Sequence, residues 1–128
     1  KELKELFDKL SNIDEQDFGI KWDSSHPPIA GTSCNRHYYS LYVKADGNVI
    51  PCSGIDISVG NVRKESLCNI ISQSKIIQEL RNIDSKIKGK CHNCDLGVHC
   101  YGCRGSAYEY YNDYLEEDPL CWRNVGKN

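Results

Sequence analysis

The sequence predicts a small α+β domain whose cysteine-rich loops carry as much of the structure as its apolar core. Three observations point there. An Asp-Gly turn separates two β-rich runs between residues 38 and 51. Short apolar stretches at helical spacing lie on either side of it. Four of the eight cysteines crowd into the thirteen residues from Cys91 to Cys103. Only 39% of the 128 residues are apolar, cysteines included, so something beyond apolar burial is expected to hold the fold.

Taken in chain order, residues 1–10 read as a helix with Leu3, Leu6, Phe7 and Leu10 on one face. Phe18 to Trp22 reads as a short strand, after which Pro27-Pro28 forces an extended connection. Residues 1–33 lack cysteine and read as a lead-in from another domain; residues 34–128 form the cysteine-bearing domain. Tyr38–Val43 and Val49–Pro51 flank Ala45-Asp46-Gly47-Asn48 as a two-stranded hairpin, which returns the chain and lets Cys34 and Cys52 meet at one end. Ser66 and Ser74 are positioned to cap two helices, the first carrying Leu67, Ile70 and Ile71 and the second Ile76, Ile77, Leu80 and Ile83. From Gly89 the chain is too rich in cysteine for regular structure. Ala107, Tyr108, Tyr111 and Tyr114 then lie at helical spacing, and Asp118-Pro119 is expected to stop that helix just before Cys121.

Charge excludes some functions. Sixteen basic and eighteen acidic residues form no basic stripe, which gives nucleic-acid binding no electrostatic support. The apolar runs are a few residues long, too short to span a membrane. The chain opens Lys1-Glu2-Leu3-Lys4-Glu5 without an apolar signal segment, so a cytoplasmic location with reduced thiols is expected. The absence of Met leads us to expect a piece of a longer chain.

Cys91 and Cys94 form one CxxC pair and Cys100 and Cys103 another, with Cys121 eighteen residues on. A CxxC turn aims two sulfurs into one concavity while backbone N–H groups face them, which suits a soft metal or a cluster. Disulfides are the first alternative for an even cysteine count, but no secretory feature accompanies them. Zinc is the second. The five residues between the pairs fall well short of the ~15–20 usual in zinc ribbons. The closer spacing and trailing proline of a bacterial ferredoxin are missing too. Spacing alone therefore gives a thiolate site and leaves its occupant open.

The order Cys34, Asp46-Gly47-Asn48-Val49-Ile50-Pro51-Cys52, CxxC-x5-CxxC and Cys121 resembles the SPASM domain of radical SAM enzymes. So do Gly102-Cys103-Arg104-Gly105-Ser106-Ala107-Tyr108 and the run from Asp113 to Trp122, and the resemblance covers about Cys34 to Trp122. It implies two auxiliary 4Fe-4S clusters, one on Cys91, Cys94, Cys100 and Cys121 and the other on Cys34, Cys52 and Cys103. The fourth position of the latter falls to Cys68, to a ligand from outside the chain, or to an open iron that substrate can reach. The implied role is electron transfer or substrate anchoring for peptide or protein maturation or haem-type synthesis, beside a radical SAM barrel of the same polypeptide. No CxxxCxxC loop occurs here, so S-adenosylmethionine belongs only to the full-length enzyme and this chain should not be active alone. A zinc-stabilised interaction module is the rival expectation.

Other residues carry less. His92 and His99 read as polar loop residues near the cluster sulfurs, His26 and His37 as ordinary. Arg104 is a candidate cap on negative cluster charge. The tyrosines at 108, 110, 111 and 114 read as helix packing, and Trp22 and Trp122 as core or interface aromatics.

Overall fold

A computed structural model describes residues 2–27, 34, 36–97 and 99–123. The extended connection expected at Pro28 lies outside the described residues.

The first helix, α1 (Glu2–Phe18), runs eight residues past the predicted end. Gly19 stops it in a left-handed conformation, with its N–H still on the Glu15 carbonyl and Ile20 N–H reaching back to Asp14. The strand expected from Phe18 to Trp22 is absent for that reason: Phe18 completes the helix and the cap consumes the next two residues. Leu3, Leu6, Leu10 and Ile13 form an exposed stripe along α1. Phe7, beside Leu3 and Leu10 on that face, anchors the helix by meeting Trp22 edge-on at 6.2 Å and Trp122 at 5.5 Å. Both tryptophans are thus interface aromatics joining the two ends of the described chain.

Only Tyr42–Val43 (β1) of the first predicted strand is extended; Arg36–Tyr39 wind into a helical turn, α2. Arg81 explains the difference, because its Nε donates to the His37 carbonyl at 3.0 Å while its guanidinium lies over the Tyr38 ring. The hairpin itself stands as expected. Lys44 and Asn48 close the Ala45-Asp46-Gly47 turn, Gly47 takes φ 89°, and β1 pairs with β2 (Asn48–Ile50), Tyr42 opposite Ile50. A third strand, β3 (Gly60–Asn61), adds antiparallel to β2 and was not foreseen. It is too short to show a period in sequence, and its Gly60 is covered closely by Ile70.

Both serine caps form. Ser66 accepts from Asn69 N–H at the start of α3 (Leu67–Gln73), and Ser74 from Ile77 N–H at the start of α4 (Lys75–Arg81). The chain breaks at Asn82, so Ile83 belongs to a separate turn, α5 (Ile83–Lys86). Val49, Ile55, Ile70, Ile77 and Leu80 are buried nearly completely. Ile83, Ile87 and Cys91 continue this core toward the dense cysteine region, with Tyr101 and Leu115 packed on them.

The cysteine-rich region is more regular than expected, since Gly89–His92 forms a helical turn, α6. The last helix, α7 (Arg104–Tyr111), ends at Asn112 in a left-handed conformation rather than at Asp118-Pro119. Tyr114 therefore leaves the helix, where its hydroxyl donates to Glu79 at 2.5 Å. Tyr110 and Tyr111 are exposed and meet edge to face instead of filling the core.

Leu80→Ala removes a side chain that is 1% exposed, and the unfolding free energy from urea titration is expected to fall by about 2–5 kcal/mol. Burial, with the Arg104 and Arg81 charges adding to it, holds His37 below its ordinary histidine pKa. The unfolded chain therefore takes up this proton first as pH falls. Its contribution is full above about pH 6.5 and declines as pH drops toward the folded value. Urea titrations at several pH values are expected to show this acid-side loss in the unmodified chain and less of it in His37→Gln.

Candidate metal centre

All eight cysteines are free thiols. Six sit at the junctions of elements or in loops, and Cys91 lies within a single helical turn. Cys34 precedes α2, Cys52 follows β2, Cys91 lies in α6, Cys94 and Cys100 flank the next loop, Cys103 caps α7, and Cys121 follows the Asp118 turn. Cys68 is different: it is exposed on α3.

The sulfurs fall into two neighbourhoods. Cys34 and Cys103 both bear on the charge of Cys52. Cys121, Cys91 and Cys94 bear on Cys100, and Cys121 also bears on Cys91. Among the described residues, no three His, Cys, Asp or Glu side chains close up around a single ion. Burial pushes the Cys52, Cys91 and Cys100 thiols above their ordinary pKa, and nearby backbone N–H groups pull the other way. Those donors are Gly54 and Ile55 for Cys52, Asp118 for Cys91 and Gly102 for Cys100. Ser106 N–H likewise points at Cys103 Sγ, at 3.4 Å. Half-buried sulfurs met by peptide N–H groups are suited to become thiolate ligands, so the donor set fits a thiolate-bound metal or cluster.

Asp118 is the residue that sequence reasoning passed over, having read it only as a helix stop. It is 1% exposed. Its Oδ2 accepts Cys103 N–H at 2.7 Å, its Oδ1 accepts Leu120 N–H at 2.9 Å, and its own N–H points at Cys91 Sγ at 3.5 Å. One residue thereby touches a cysteine of each neighbourhood. The available signal was Asp-Pro three residues before a cysteine, a pattern that starts turns. Gly102, at φ 65°, makes room for it, because a Cβ there would stand 2.5 Å from Asp118 Cβ.

A second close approach sets the other side of the centre. A Cβ built on Gly54 would lie 2.8 Å from Gly105 Cα, and one on Gly105 would lie 2.9 Å from Gly54 Cα. The turn after Cys52 therefore rests directly on the start of α7, which brings Cys103 close. Beside this contact opens a cleft of ≈ 480 Å³ walled by Gly54, Cys103, Ser106, Glu109, Tyr110 and Leu120.

The histidines stay at the margin. His92 Nδ1 lies 3.1 Å from the Ile87 carbonyl, His26 meets Ser25 and Asp23, and His99 is exposed. Buried Arg104 donates to the Tyr101, Tyr114 and Glu116 carbonyls. Cys94 borders Asp95, which Arg123 holds at 2.7 and 3.0 Å.

Residues 34–95 match the family model of SPASM, an iron–sulfur cluster-binding domain. Among curated proteins, the AdoMet-dependent heme synthase of Methanosarcina barkeri is 36% identical over 67% of this chain and 24% of its own length. The enzyme of the same name from Nitratidesulfovibrio vulgaris is 32% identical over 62% of this chain and 22% of its own length. The sporulation killing factor maturation protein SkfB of Bacillus subtilis is 29% identical over 46% and 14%. The chain thus spans about a quarter or less of the length of these relatives. No solved structure matches it significantly. No described helix is long and apolar enough to cross a membrane.

Asp118→Ala removes a buried carboxylate and strands the part-buried N–H groups of Cys103 and Leu120, and urea unfolding is expected to show a loss of about 1–3 kcal/mol. Gly54→Ala must push two backbones apart, for an expected loss of about 1–3 kcal/mol in the same measurement.

Proposed function

Because the chain belongs to the SPASM family of iron–sulfur cluster-binding domains, we propose that it holds two 4Fe-4S clusters as the auxiliary domain of a radical SAM enzyme. Cys91, Cys94, Cys100 and Cys121 ligate one, and Cys34, Cys52 and Cys103 the other. What supports this reading is that Cys34 and Cys103 bear on the charge of Cys52, while Cys121, Cys91 and Cys94 bear on that of Cys100.

Bound there, the clusters supply one-electron redox capacity and, at an incompletely ligated iron, a Lewis-acidic position. The rest is the work of the chain's own residues. Seven thiols give up their protons on loading, and the N–H groups of Gly54, Ile55, Gly102, Ser106 and Asp118 stabilise the resulting sulfur charge. Partial burial keeps water from the sulfurs and raises the cost of leaving them charged without metal.

The fourth position of the cluster on Cys34, Cys52 and Cys103 falls to an open iron or to Cys68. The exposure of Cys68 on α3 favours the open iron, with the cleft beside Cys103 as the approach for substrate. The names of the relatives point to a peptide, protein or tetrapyrrole as that substrate. Residues 1–33 lead in from the catalytic barrel of the same polypeptide. The exposed Leu3, Leu6, Leu10 and Ile13 stripe of α1 is the surface that barrel would cover.

Loading the chain with iron and sulfide without oxygen is expected to give about eight irons and eight sulfides per chain, with a 4Fe-4S Mössbauer signature. Cys94→Ala and Cys52→Ala should each disturb one cluster, and Cys68→Ala should leave the count unchanged. Zinc at one or two per chain, with no cluster taken up, would instead support the structural-zinc module.

A further inference from the structure

We infer that Arg104 is a counter-charge shared by both cluster sites, its unpaired Nε–H kept for an anionic iron–sulfur group. This rests on the two-cluster reading above and goes beyond it by assigning the charge that makes two buried anions tolerable side by side.

The guanidinium is 3% exposed. Taking such a group out of water is costly unless its donors are matched and its charge is met. The donors of one end are matched: Nη1 serves the Tyr114 carbonyl at 3.1 Å and the Glu116 carbonyl, and Nη2 serves the Tyr101 carbonyl. All three acceptors are neutral, so they orient the fork without answering its charge. The Nε is buried without a protein partner.

Cys103 directly precedes the residue, and Asp118, whose N–H meets Cys91 Sγ at 3.5 Å, lies with Arg104 Nη2 over Gly102. Cys91 and Cys100 of one neighbourhood and Cys103 of the other lie within the guanidinium's electrostatic reach, together with Asp118. Arg104 is also the first residue of α7, and α7 is seated by the Gly54–Gly105 contact. The residue is therefore held rigidly on both sides of the charge it offers.

A thiolate-bound 4Fe-4S cluster is anionic and becomes more so on reduction. A fixed buried cation favours the reduced form and raises the reduction potential, as do hydrogen bonds to the cluster sulfurs. One cation near both sites raises both potentials and moderates the repulsion between the clusters.

The test uses the 128-residue chain, loaded without oxygen, with iron and sulfide counts and a redox titration followed by EPR. Arg104→Gln removes the charge; Arg104→Lys keeps it. Support would be lower midpoint potentials for both clusters in Arg104→Gln, with Arg104→Lys returning them toward the unmodified values. Loss of iron in Arg104→Gln with retention in Arg104→Lys would also support it. Full loading of Arg104→Gln with neither potential moved would overturn it, as would movement of only one. Equal loss of iron in both variants would assign Arg104 to tethering carbonyls and overturn the charge role. If the unmodified chain takes about four irons, the two-cluster reading fails first and the sharing fails with it.

Discussion

The dense cysteine region depends on a buried polar crossing made by Asp118 and Arg104. Asp118 reaches Cys103 N–H with its side chain and Cys91 Sγ with its main chain, while Arg104 draws in the carbonyls of Tyr101, Tyr114 and Glu116. Four segments meet there: α6, the loop into Cys103, α7 and the chain from residue 113 to 121. Each has little apolar area of its own. Lys90 adds to these contacts, its N–H on the Glu117 carboxylate and its Nζ on the Cys121 carbonyl at 2.8 Å, so that Cys121 returns to Cys91 across thirty residues. A buried carboxylate such as Asp118, with both oxygens hydrogen-bonded, also fixes geometry more sharply than apolar contact, which tolerates sliding.

The rest of the fold supplies the frame for that crossing. The small sheet and α3–α4 form a conventional apolar core around Val49, Ile55, Ile70, Ile77 and Leu80. Ile83 and Ile87 carry it to Cys91, so one sulfur neighbourhood is built onto the core's edge. The other is reached through glycine, where the turn after Cys52 lies against the start of α7 with no side chain between them. Metal loading would then link elements that the core leaves loosely joined, and binding energy would become folding energy. The Phe7, Trp22 and Trp122 contact ties α1 to the segment just after Cys121, so the lead-in helix and the last thiol share an anchor.

Local signals were read correctly where one interaction decided the outcome. The Asp-Gly turn, the Ser66 and Ser74 caps and the amphipathic start of α1 are each set within a few residues. Errors arose where a distant partner intervened. Arg81 holds the Tyr38 region as a helical turn, although its tyrosines suit a strand. β3 exists because β2 offers an edge and Ile70 covers Gly60, neither of which Gly60-Asn61 reveals. The stop of α7 was placed at a proline, whereas Asn112 had already turned the chain.

By itself the sequence determined the fold class, the thiolate character of the site and the resemblance to a cluster-binding family, because cysteine order and spacing survive as text. The tertiary structure decided which sulfurs are neighbours, that Asp118 and Arg104 are buried between them, and that Gly54 and Gly105 touch. The physical reason is range. Turns and caps are governed by bonds over three or four residues, whereas burial, electrostatic environment and backbone contact depend on segments far apart in the chain. A carboxylate and a guanidinium that look like ordinary surface residues become the interior of this site only when the chain closes around them.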